Sequence, residues 1–132
     1  VQLSGGKINH KELMSLMYRR GFKGKSLDTA YAVAMAESAG NPHAFNDNWH
    51  TGDLSYGLMQ INMIGQMGPN RRAQYHLGSN TDLFIPDTNA RVGYGVSNSG
   101  TWWKPWSTYK SGAFAAFLKR RGIHVPCPLR RP

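Results

Sequence analysis

Seven consecutive residues, 30–36 (AYAVAMA), constrain what this chain can fold into more than any other stretch. Wound at 3.6 residues per turn they are apolar on every side, the pattern of a helix surrounded by other elements rather than one lying on a surface. Ser26 as N-cap, Gly40 as the residue just past the end and Pro42 as a stop signal bracket that helix and put Glu37 in its last turn. At that place the negative end of the helix dipole and the apolar neighbours both disfavour ionisation, so the carboxyl's pKa is pushed upward. A carboxyl that keeps its proton near neutrality can act as a general acid; the ordinary alternative is a solvated glutamate at a helix end.

The flanking sequence supplies elements to pack around this helix. Asn9 with Glu12 three residues on forms a capping-box start, Leu13, Leu16 and Met17 make an apolar stripe, and Arg19-Arg20-Gly21 is a cationic finish with a glycine stop. Residues 41–55 are dense in Asn, Asp, Gly and His and predict an irregular loop or short hairpin, the rim of a cleft. Leu58, Met59 and Ile61 read as core. Ile64 to Gly68 reads as a short helical turn cut by Gly68-Pro69, and Arg71 to Tyr75 as another. Pro86 opens a helix expected to end near Gly100, and Ala113 to Arg121 makes a final helix with Phe114, Phe117 and Leu118 inward. Three of the four tryptophans fall at 102, 103 and 106; some must be core, and one is expected to stack on a ligand.

Composition narrows the class. At 132 residues the chain is one domain, expected at 9–121 between a flexible start or linker (1–8) and a flexible tail (122–132). No apolar run approaches the ~20 residues of a membrane span. The chain begins Val1-Gln2-Leu3 with no visible signal peptide, which reads as a piece cut from a longer polypeptide. Cys127 is the only cysteine, so no disulfide forms within the chain. His43 and His50 lack the spacing of a zinc pair on a helix, and metal binding is not expected. The net charge of +9, from 16 Lys and Arg against seven Asp and Glu, predicts attraction to polyanions. Anionic cell wall polymers satisfy it as well as nucleic acid does, and no nucleic-acid-binding signature is present.

Four segments occur together in order: Glu37-Ser38-Ala39-Gly40-Asn41-Pro42; Ser55-Tyr56-Gly57-Leu58-Met59-Gln60-Ile61-Asn62; Pro86-Asp87-Thr88-Asn89-Ala90-Arg91-Val92-Gly93-Tyr94; and Trp106-Ser107-Thr108-Tyr109-Lys110-Ser111-Gly112. Together they resemble the signature of the lytic transglycosylase and goose-type lysozyme superfamily over roughly residues 26–118. The last two segments also resemble the muralytic domains in tape-measure proteins of phages infecting actinobacteria, which implies a place in a virion tail. The resemblance implies a mainly helical α+β, lysozyme-like fold with a small β-hairpin at about 45–61 lining a saccharide cleft. It implies cleavage of the β-1,4 bond between N-acetylmuramic acid and N-acetylglucosamine in peptidoglycan, outside the cell or at its wall, with Glu37 as acid, no cofactor, and a monomeric domain.

Substrate contacts are expected from Ser55, Tyr56, Gln60, Asn62, Asn89, Trp106 and Tyr109. Gln60 offers both a donor and an acceptor to a sugar amide or hydroxyl, and Asn89 alternatively ties down a loop. Hydrolysis needs a second group to activate water, and Asp53 or Asp47 is the candidate. Goose-type lysozymes that resemble this chain place an Asp directly after their Gln-Val; here Asn62 stands there and cannot act as a base, which favours transglycosylation by one acid. Two other classes compete: a wall-binding module without turnover, which would need no acid at 37, and a nucleic-acid-binding protein, supported by the charge alone.

Overall fold

A computed structural model of the protein describes residues 6–120. Helix α1 (His10–Arg19) begins with the expected reciprocal cap: Asn9 Oδ1 accepts from the Glu12 N–H at 2.9 Å, and Glu12 Oε1 accepts from the Asn9 N–H at 3.3 Å. Ten residues of isolated helix are marginal in water, so α1 holds because Leu13, Leu16 and Met17 are buried, each worth roughly 1.5–3 kcal/mol. The face they form lies on α2 (Lys25–Ser38), which also touches α5 (Ser107–Lys110) and α6 (Ala115–Arg120). Residues 30–34 of α2 are at most 1% exposed, as an apolar surround requires.

The ends of α2 differ from expectation in detail. The helix starts at Lys25 with Gly24 as N-cap, while Ser26 Oγ serves Lys23, accepting from its N–H at 3.0 Å and donating to its carbonyl at 2.8 Å. At the other end Ala39 takes the left-handed conformation expected of Gly40, and both have positive φ. Ser38 Oγ donates to Ala34 O and accepts from the Gly40 N–H, so the end that carries Glu37 is firmly closed. Ile8, placed in the flexible start by its polar neighbours, donates its N–H to Gly40 O at 2.8 Å and packs on the core. Residues 1–5 of that start, and the tail with Cys127, lie outside the described residues.

The loop region forms a three-stranded antiparallel sheet in the order β1 (Phe45–Asn48), β2 (Asp53–Tyr56), β3 (Ile61–Asn62). Phe45 pairs with Tyr56 and Asn48 with Asp53, and Ser55 pairs with Asn62 across the second ladder. Helix α3 (Met67–Tyr75) is continuous where two pieces were expected. Pro69 falls in its first turn, where the missing N–H has no intrahelical acceptor to lose, so Gly68-Pro69 starts this helix instead of cutting it. Helix α4 (Pro86–Val96) stops short of Gly100 because Asn98 and Ser99 take positive φ, and Ser97 Oγ closes the end onto Tyr94 O and the Gly100 N–H.

The architecture is mainly helical α+β with one small antiparallel sheet, the fold class that the resemblance implies. Among the described residues no helix is long and apolar enough to cross a membrane.

Candidate active site

Glu37 leaves the last turn of α2 half-buried, facing α5. Thr108 Oγ1 donates to Glu37 Oε2 at 2.8 Å across 71 residues of sequence, and the Thr108 backbone N–H also bonds the carboxyl. Burial holds the Glu37 pKa above the ordinary carboxylate value. The two Thr108 hydrogen bonds work against that shift, and the negative charge of Asp53 adds to it. Desolvation is the largest of these influences, so the group retains its proton to higher pH than a solvated glutamate.

Asp53 opens β2 and is held by Thr51 Oγ1 at 3.0 Å, with Ser55 Oγ at 3.5 Å. Asp47, the other candidate, is exposed on the edge strand opposite Leu54; the acid whose charge acts on Glu37 is Asp53.

The turn between β2 and β3 is shaped by close approach. Gly57 has a φ of 76°, and a Cβ there would lie 2.3 Å from Leu83 O and 2.4 Å from Asn89 Nδ2. Only glycine fits. Asn89 is 0% exposed: its Oδ1 accepts from the Met59 N–H at 2.9 Å, and its Nδ2 donates to Tyr56 O at 2.8 Å and Leu83 O at 2.9 Å. Gly93 lets α4 press against Met59, whose sulfur would lie 2.3 Å from a Cβ at that position. Trp106 Nε1 donates to Met59 O at 2.6 Å from the other side.

These contacts correct several expected substrate contacts. Asn89 has no surface and no free amide atom for a sugar, and it ties down the turn instead. Trp106 is 3% exposed and packs in the interior at a tilt against Trp103, and Tyr109 stacks between Trp103 and Phe114. The exposed tryptophan of that segment is Trp102. Ser55 and Tyr56 are also buried, the Tyr56 ring among Phe45 and Phe84 with its hydroxyl accepting from Asn80. Gln60 spends its amide nitrogen on Ala44 O and Gly57 O, both at 3.0 Å, which stabilises its own positive φ. Asn62 accepts at Oδ1 from the Leu54 and Ile64 N–H groups and donates from Nδ2 to Gly52 O at 2.7 Å. An aspartate there could not make the last bond, so the amide is what the hairpin requires.

Gln60, Asn62 and Trp106 do line a cavity of about 280 Å³ next to α5. A larger depression of about 570 Å³ lies between α1 and the start of α4, among residues that include neither Glu37 nor its partners. Among the described residues no three His, Cys, Asp or Glu side chains are grouped as a metal site would need. Thr108 is the site residue that sequence reasoning passed over: its position between Trp106 and Tyr109 carries no chemical signal of its own.

The chain matches the model of the lysozyme-like domain family over residues 14–108, an interval that contains Glu37, Asp53, the asparagine-locked turn and Thr108. It belongs to that family. Membership supports a glycosidase acting on peptidoglycan, and the match does not single out the tape-measure domains within the wider group. No curated protein and no solved structure matches the chain.

Proposed function

We propose that the protein is a lytic transglycosylase that cuts the β-1,4 bond between N-acetylmuramic acid and N-acetylglucosamine at the cell wall, with Glu37 as the sole acid-base group. The observation that carries this reading is Glu37 itself: a carboxyl made proton-retaining by burial and fixed in orientation by Thr108. Its proton passes to the glycosidic oxygen as that bond to the muramyl anomeric carbon breaks, releasing the N-acetylglucosamine hydroxyl. The resulting Glu37 carboxylate then takes the proton of the muramyl 6-hydroxyl, whose oxygen bonds to the same anomeric carbon. The product is a 1,6-anhydro sugar, and Glu37 is again protonated. Asn62 supports this over hydrolysis, because its amide holds the hairpin and cannot act as a base.

One observation favours a second reading. Asp53 is near enough for its charge to act on Glu37, which makes it the candidate base of an inverting hydrolase. Mass spectrometry of soluble fragments from purified peptidoglycan separates the two. Anhydro termini from wild type, with Asp53→Asn changing the rate no more than a few-fold, are expected. Reducing ends one water heavier, lost in Asp53→Asn, would assign hydrolysis instead.

A further inference from the structure

The register of the sheet separates its two faces by chemistry. Residues directly opposite each other on antiparallel strands point to the same side, and successive residues along a strand point to opposite sides. One side therefore carries Phe45, Tyr56 and Ile61, with Asp47 and Leu54, and the rings of Phe45 and Tyr56 pack on Phe84. The other side carries Asn48 opposite Asp53, then Asn46, Ser55 and Asn62 in a row across the three strands. All five strand residues on this second side are polar.

The polar side is also the one that holds Asp53, whose charge acts on Glu37. Thr51 Oγ1 lies 3.0 Å from both Asp53 Oδ2 and the Asn48 carbonyl, so Asn48 stands beside that acid at the end of the hairpin. Three of the five residues spend their side chains on the protein. Ser55 Oγ reaches Asp53 Oδ1 at 3.5 Å, and the Asn62 amide makes three bonds to backbone groups. The side-chain amides of Asn46 and Asn48 make no hydrogen bond among the described residues, and both residues are exposed. Nor do these two favour the strand they occupy: Asn and Asp are depleted in strands, yet β1 reads Phe-Asn-Asp-Asn. Local propensity is overridden in this way where function requires it.

We propose that Asn46 and Asn48 form a glycan-positioning strip, two amides about 7 Å apart on one side of an edge strand that hydrogen-bond hydroxyl or acetamido groups of the sugar strand on which Glu37 acts. Each amide can both donate and accept. The inference rests on the peptidoglycan reading and supplies polar contacts that the buried Asn89 and Trp106 do not.

Kinetics and binding separate this role from a structural one. Asn46→Ala and Asn48→Ala should each raise KM for soluble wall fragments about three- to tenfold, with kcat changed less than about twofold and the melting temperature unchanged. In the Glu37→Gln background the same substitutions should weaken calorimetric binding of N-acetylated glycan strands by a similar factor. Asp47→Asn, exposed on the same strand but on the opposite side, should leave binding within about twofold. De-N-acetylated strands locate the contact: losses confined to the acetylated ligand place the amides on acetamido groups, losses on both place them on hydroxyls, and either result upholds the strip. A loss in Asp47→Asn as large as in the asparagine variants, or no loss from either asparagine, overturns it. Wild type that releases no wall fragments, together with Glu37→Gln protein that binds no glycan, would instead overturn the peptidoglycan reading.

Discussion

The α2–α5 seam and the β2–β3 turn are built on opposite electrostatic terms. At the α2–α5 seam a carboxyl is withdrawn from water, near another acid, with hydrogen bonds that only partly offset its burial. At the β2–β3 turn two asparagines commit both ends of their amides to backbone groups, Asn89 with three bonds and Asn62 with three. The seam holds a group whose protonation is poised, and the turn holds neutral amides tied to backbone groups. A buried group of unresolved charge can serve chemistry, whereas satisfied buried amides hold geometry.

Glu37→Gln is the sharpest way to break that contrast. It should lower wall lysis about 10²–10⁴-fold while circular dichroism stays native. The folded state binds the Glu37 proton more tightly than the unfolded chain does, because the pKa is raised on folding. Stability associated with that proton is therefore present below the ordinary glutamate pKa and lost as pH rises through the folded value. The variant should gain melting temperature relative to wild type as pH rises above the ordinary glutamate value. A difference independent of pH would show that Glu37 is not desolvated.

Asn89→Ala attacks the turn. It leaves the Met59 N–H and the carbonyls of Tyr56 and Leu83 without their partner, and urea denaturation should show a loss of about 2–4 kcal/mol. A loss under ~1 kcal/mol would mean that water replaces the amide readily. Thr108→Val should have the smallest effect, a fall in lysis of about 3–10-fold from one lost hydrogen bond. Because that bond lowers the Glu37 pKa, its removal should move the alkaline limb of the pH–activity profile upward. Movement downward would reverse the role given to Thr108.

Much of the scaffold was legible from residues three or four apart. The Asn9–Glu12 cap, the buried run at 30–34, Glu37 in a last turn and the Pro86 helix start all depend on local periodicity or capping, which a sequence displays directly, whereas the hairpin near 45–61 was implied by the family resemblance. Pro69 was misread for a local reason: proline stops a helix or starts one according to which turn it occupies, and no residue nearby fixed that frame.

The site divides in the same way. By itself the sequence determined that a carboxyl ends an apolar helix, that a glycine-containing turn follows it, and that aromatic and basic residues are present. The tertiary structure alone decided which of them face the cleft. Asn89, Trp106 and Tyr56 turned inward because buried amides, indole N–H groups and rings find their partners across 24–47 residues of chain, and an amide reads the same on paper whether it meets a sugar or a backbone carbonyl. Thr108 was brought to Glu37 by the converse route, since a hydrogen-bond distance is a property of the packed chain and leaves no trace in spacing or composition.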